Sequence, residues 1–307
     1  MKKKITIVGA GNVGATLALY AVMNAMGDIV LVDVNEGMAK GKALDMIQAS
    51  AVFGLDVNVI GTSDYAQTAD SDIVIITAGL ARKPGMDRLD LLKKNADIIK
   101  EVTGQIVAHS PHTIIIVVSN PVDVMTYHAL TLSGFEKHRV IGQAGVLDSA
   151  RFSTFIAEAL SCSVKDISPL VLGGHGDEMV PLTQYTTVSG VPVDTLLPPE
   201  KLASIIDRTR KGGAEIVNLL QSGSAYYAPA SATCAMVAAI LQDTGKVLPC
   251  SVLLTGEYGI RDVCVGVPVK LGAKGIQEII TLPLAEPELA ALRTSADGYK
   301  KSIAELA

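Results

Sequence analysis

His175 stands between glycines in LVLGGHGDEMVP, directly after an apolar run. A histidine in such a turn has room beside it for a substrate, and its ring exchanges a proton near neutral pH. It is the candidate general base. His109, His112, His128 and His138 have no comparable setting and are read as ordinary. VLDSARF places Asp148 and Arg151 three apart, on one helical face, where a plain surface salt bridge would look the same. TAGLARKPGMDRLDLLKKN carries Arg82, Lys83 and Arg88 among Gly79, Pro84 and Gly85. Guanidinium groups bind carboxylates bidentately and keep their charge. Flanking Gly and Pro suit a lid that hinges over an anionic substrate, although a solvated charged loop is the plainer reading of those residues alone. VVSNPVD ends another apolar run with Asn120 before Pro121.

The opening, MKKKITIVGAGNVGATLALYAVMNAMGDIVLVD, admits two opposed readings. A basic start and an apolar run from Val13 to Met23 resemble a secretory signal. Against this, Gly9, Gly11, Asn12 and Gly14 interrupt the run, and no apolar segment reaches the ~20 residues that span a bilayer. The second reading accounts for more. Gly9-x-Gly11-x-x-Gly14 follows the strand ITIV, enters an apolar helix, and is followed by a strand ending at Asp33, 19 residues beyond Gly14. In that order the glycines serve a tight turn, the approach of a pyrophosphate and close helix–strand packing. Gly9, Ala10, Gly11, Asn12, Val13 and Gly14 form the candidate cradle at the helix N-terminus. Asp33 suits the adenosine ribose hydroxyls and opposes a 2′-phosphate, so NAD is expected rather than NADP.

The elements that must position these groups follow from the apolar runs. ITIVGA, DIVLVDV, VNVIGTS, DIVIITAG, TIIIVVSN and RVIGQAG read as buried strands, with helical stretches such as Met38 to Ser50 and Leu89 to Ala108 between them. That alternation predicts an α/β protein whose N-terminal half is a doubly wound parallel (Rossmann) sheet. The second half mixes helices, Leu147 to Leu160 and Leu202 to Leu220, with strand candidates YTTVSG, CSVLLTG and VGVPVKLG. It predicts a C-terminal α+β substrate lobe. The expected division is 1–145 and 146–307, with a tight junction. PASATCAMVAAILQ predicts a helix buried inside the lobe or against a second copy.

Composition narrows the function classes. With 49% hydrophobic and 19% charged residues the chain is globular, and a net charge of −5 offers no attraction to nucleic acid or acidic membranes. Cys162, Cys234, Cys250 and Cys264 are widely spaced among apolar or small neighbours, giving no disulfide framework and no metal site. They are expected to be reduced, buried thiols in a cytoplasmic setting.

GAGNVG, RKPGMDR, VSNPVD, VLDSARF and GGHGD, in this order and spacing, resemble the lactate/malate dehydrogenase family, most closely its lactate-dehydrogenase-like bacterial branch, over essentially the full length. The resemblance implies reversible hydride transfer between (S)-malate and NAD, giving oxaloacetate and NADH. It casts His175 as the base, Asp148 as the partner of its other ring nitrogen, Arg151 as the carboxylate clamp, and Arg88 as the lid group that polarises the carbonyl. Asn120 would touch both substrate and nicotinamide ribose, Val118 and Ser119 would line the cofactor, and Asn95 matches a family cofactor contact. It also implies a homo-oligomer, with a tetramer favoured over a dimer.

At position 82 the lactate branch typically has Gln and the malate branch Arg. A second substrate carboxylate needs a cation, whereas pyruvate would leave Arg82 desolvated and unpaired. Removing one partner of a buried pair costs about 3–5 kcal/mol. Small Ala225 in GSAYYAP agrees, leaving space for a larger substrate than a Thr would. A lactate dehydrogenase is the alternative within the class, and position 82 separates the two. A non-catalytic NAD-binding protein is the alternative outside it, and would be signalled by loss of the base or of a substrate arginine. His175, Asp148, Arg151 and Arg88 are all present.

Overall fold

The computed structural model describes residues 2–80 and 87–306, except for the side chain of Arg88. Arg82, Lys83, Pro84 and Gly85 lie outside the described residues. The first half alternates β1 (Lys4–Val8), α1 (Asn12–Met23), β2 (Asp28–Val32), α2 (Glu36–Val52), β3 (Val59–Thr62), β4 (Ile73–Ile76), α3 (Arg88–His109), β5 (Ile114–Val117), α4 (Val122–Ser133) and β6 (Val140–Gly142). All six expected strands form, and they pair in parallel in the order β3-β2-β1-β4-β5-β6. β4 (IVII) and β5 (IIIV) are buried at every position, because helices cover both faces of the sheet.

The second half holds α5 (Gly145–Leu160), β7 (Ile167–Ser168), β8 (Val171–Gly173), β9 (Met179–Pro181), β10 (Thr187–Val188), β11 (Val191–Pro192), α6 (Val193–Leu196), α7 (Pro199–Leu220), α8 (Tyr227–Leu241), β12 (Lys246–Thr255), β13 (Arg261–Gly272), β14 (Gly275–Ile279) and α9 (Glu286–Ala304). YTTVSG forms a shorter strand than expected, only Thr187–Val188, because Tyr185 lies in a 3-10 turn with its hydroxyl donating to the Pro283 carbonyl at 2.6 Å.

In the second half β11, β10 and β7 form a small antiparallel sheet of their own, while the other strands extend the first sheet. β12 adds antiparallel to β6 through Ser251 and Gly142, and the sheet continues β12-β13-β8-β9. Glycine permits that join: a Cβ on Gly142 would lie 2.8 Å from the Ser251 Cβ and overlap the Thr126 hydroxyl. A second core of Phe152, Ile156, Val171, Val193, Leu202 and Ile205 fastens α5 to its surroundings. α8 packs on α1 within the chain and is buried along most of its length, so its apolar character is used internally. Cys234, Cys250 and Cys264 are buried, but Cys162 is only partly so, because it follows the exposed C-terminal end of α5. Among the described residues no helix is long and apolar enough to cross a membrane.

Candidate active site

The turn from β1 into α1 is built by its glycines. Gly9 has φ +105°, a conformation open to glycine, and a Cβ there would lie 2.7 Å from Thr77 Oγ1. A Cβ on Gly14 would overlap the Gly9 carbonyl oxygen, so the third glycine lets α1 sit directly on the turn. Gly11 differs: nothing lies within 4 Å of its Cβ position. It is the N-cap of α1, no side chain caps that end, and no acidic residue occupies the first turn. The first intrahelical bond runs from Ala15 N–H to the Gly11 carbonyl, leaving the N–H groups of Asn12, Val13 and Gly14 for an anion. The cradle therefore fits a pyrophosphate. Asp33, just past β2, accepts from Ala10 N–H at 2.7 Å and Asn35 N–H at 2.9 Å, which fixes its carboxylate beside the turn.

The ends of β4 and β5 complete this edge. Ser119 is buried, its hydroxyl donating to the Ala78 carbonyl at 2.5 Å, and Val118 is buried beside it. Asn120 is exposed at the strand end. Asn95, expected to contact the cofactor, lies between the segment after β4 and Asn120. It is 1% exposed, and its amide accepts from Leu80 N–H at 2.8 Å while donating to the Leu80 carbonyl at 3.3 Å and the Asn120 carbonyl at 2.8 Å. A side chain so fully committed ties the segment after β4 to Asn120. Arg88 begins α3, with Asp87 as its N-cap residue.

His175 meets a pair of residues from α5. His175, in the turn between β8 and β9, places Nδ1 2.9 Å from Asp148 Oδ2, and Arg151 Nη1 donates to Asp148 Oδ1 at 3.3 Å. Asp148 and Arg151 share a face of α5, as their spacing predicts, with side chains 2% and 13% exposed. The surface-bridge reading therefore does not hold for this buried pair. Burial alone would lower the His175 pKa, but the Asp148 carboxylate and its hydrogen bond outweigh that, and the net shift is upward. Gly174 makes room for the turn, since a Cβ there would overlap the Tyr299 ring.

Asp123 is the group that sequence reasoning missed, although it ends the quoted VVSNPVD. Fully buried on α4, it accepts from the His175 backbone N–H at 3.0 Å and from the Ser251 hydroxyl at 2.6 Å, and burial pushes its pKa up to about 6. It thus links the segment after β5 to the turn that carries the histidine. An acid set among apolar residues two positions after a proline, in NPVDVM, was the available signal.

A dinucleotide cradle at the carboxyl ends of parallel strands, with a buried histidine–carboxylate pair tied through Asp123 to the segment after β5, defines a nucleotide-dependent dehydrogenase. The model for the NAD binding domain of lactate/malate dehydrogenases matches residues 3–142, and the model for their alpha/beta C-terminal domain matches residues 145–307. The malate dehydrogenase of Bacillus cytotoxicus is 57% identical over 97% of this chain and 96% of its own. The crystal structure of Cryptosporidium parvum malate dehydrogenase superimposes with a TM-score of 0.97 at 40% identity, covering 100% and 99% of the two chains. The chain belongs to the lactate/malate dehydrogenase family and is an NAD-dependent oxidoreductase. The lactate dehydrogenase of Cryptosporidium parvum, solved with lactic acid and nicotinamide adenine dinucleotide, superimposes almost equally well: TM-score 0.96, 38% identity, 100% and 98% coverage. Backbone shape does not separate the two substrates. Side chains must.

Proposed function

We propose that the protein interconverts (S)-malate and oxaloacetate with NAD. NAD, when bound, supplies the hydride acceptor or donor. The observation that carries the reading is the His175–Asp148–Arg151 chain, with contacts of 2.9 and 3.3 Å. Asp148 holds Nδ1–H, which leaves Nε2 to take the proton of the substrate hydroxyl, and the same carboxylate stabilises the imidazolium that results. Arg151, already charged and buried beside them, clamps the carboxylate next to the reacting carbon. Arg88 donates to the carbonyl oxygen where charge gathers during reduction. Asn120 orients that oxygen and a ribose hydroxyl. Gly9 to Gly14, Asp33, Asn95, Val118 and Ser119 hold the dinucleotide, and Asn95 also ties Leu80 to Asn120.

Arg82 pairs with the second carboxylate and so selects the dicarboxylate. A lactate dehydrogenase is the second reading, since one superimposes almost equally well, with a TM-score of 0.96. The test is NADH oxidation with oxaloacetate and with pyruvate. A kcat/KM ratio above ~10² for oxaloacetate is expected, falling steeply in Arg82→Gln. Comparable rates in the wild type would overturn the substrate assignment and keep the dehydrogenase.

The dinucleotide-binding part corresponds to residues 1–145 and the substrate part to 146–307, in a cytoplasmic enzyme that assembles as a homo-oligomer, with a tetramer favoured over a dimer. Support for assembly comes from apolar side chains exposed on and just beyond α2, where Leu44 is 56%, Val52 82% and Phe53 63% exposed.

A further inference from the structure

Gly212 and Gly213 are adjacent within α7, a helix of 22 residues. Glycine is the poorest helix former after proline, so two together inside a helix call for a tertiary reason. A Cβ on Gly212 would lie 3.1 Å from Cδ and 3.5 Å from Nε of Arg151; one on Gly213 would lie 3.5 Å from Nη2 and 3.9 Å from Nη1. For both glycines the three nearest atoms belong to the Arg151 side chain, and none is backbone of α5. Close approach of the two helix backbones therefore does not explain the pair.

Arg151 has few other restraints. Among the described residues its Nε is buried without a hydrogen-bond partner, and its one ion pair is the 3.3 Å contact with Asp148. Hydrogen bonding alone leaves the stem free to rotate about that contact. The bare face of α7 is what the stem and guanidinium lie against.

We propose that Gly212 and Gly213 are positioning residues for Arg151: the bare helix face sets the height and tilt of the guanidinium, so that its free edge meets the substrate carboxylate. Gly212 matters more, because its Cβ position is tighter than ordinary contact, whereas that of Gly213 is at contact distance. This inference rests on the role assigned to Arg151 above.

The experiment compares Gly212→Ala, Gly213→Ala and Arg151→Lys in the full-length enzyme. Each is measured for KM and kcat with oxaloacetate, NADH affinity by fluorescence, and Tm. Gly212→Ala is expected to raise KM about 10-fold or more with a smaller effect on kcat, the pattern of lost substrate binding. NADH affinity should be unchanged and Tm equal or higher by about 2 °C, since alanine favours the helix. Gly213→Ala should raise KM less, about 2- to 5-fold. A rise in KM alongside a retained or raised Tm is what a merely structural role could not give.

Unchanged KM in both glycine variants while Arg151→Lys raises it would overturn the proposal and leave the role of Arg151 intact. Unchanged KM in Arg151→Lys would overturn that role itself. If Gly212→Ala fails to fold, Gly213→Ala decides the matter by the same criteria.

Discussion

His175 and Asp148 lie far apart in sequence and 2.9 Å apart in space, and their electrostatics has a definite sign. Burial lowers the imidazole pKa, the Asp148 carboxylate raises it, and the carboxylate prevails, moving it above its usual 6.5. Malate oxidation needs the neutral ring and oxaloacetate reduction the protonated one. We expect kcat/KM for malate to climb with pH through that raised pKa and level off, while kcat/KM for oxaloacetate falls over the same interval. Asp148→Asn should shift both midpoints downward and reduce kcat by at least ~10². Midpoints that stay in place would show that Asp148 does not set the protonation of the base. The raised pKa also has a stability consequence. Its contribution to folding is fully present below about pH 6.5 and is lost as pH rises through the folded-state value. Asp123, held up at about 6 by burial, adds negative charge behind the same ring and favours its protonated form.

At the level of the elements, the β1–α1 turn separates two kinds of glycine. Gly14 carries its helix against the Gly9 carbonyl and has no space for a methyl group, whereas Gly11 faces open space at an uncapped helix end. Gly14→Ala should therefore lower Tm by several degrees and abolish NADH binding with it, since the added carbon forces the helix off the strand end. Gly11→Ala should leave Tm within about 1 °C and weaken NADH binding about 10-fold or more. Thermal denaturation and fluorescence titration on both variants check this. Equal losses of Tm would mean that the two glycines share one structural role.

For the whole molecule, the sheet that continues from β6 into β12 joins the nucleotide half to the substrate half, and Asp123 reaches across the same seam to His175. Leu44, Val52 and Phe53 expose apolar side chains along and just past α2, the kind of surface that a subunit contact covers. We expect the double variant Leu44→Asp, Phe53→Asp to sediment as a smaller species than the wild type while retaining its circular dichroism. An unchanged sedimentation coefficient would move the assembly surface elsewhere.

Strand identity and order of appearance were legible because runs such as IVII and IIIV are buried on both faces and so need no polar alternation. The cradle and Asp33 were legible because one strand–turn–helix–strand unit contains them all, and the spacing of Asp148 and Arg151 because a helix turns every 3.6 residues. Pairing across long separations was not legible. The pairing of Asp148 with His175 was anticipated only through the family resemblance, and that Asp123 holds the same turn and that Asn95 ties a loop depend on which strands lie side by side. Local sequence specifies the conformation of each segment through propensity, turn chemistry and apolar period. Only the packing of β12 on β6 and of α7 on α5 brings the segments within hydrogen-bonding and van der Waals reach, and those distances decide what each side chain does.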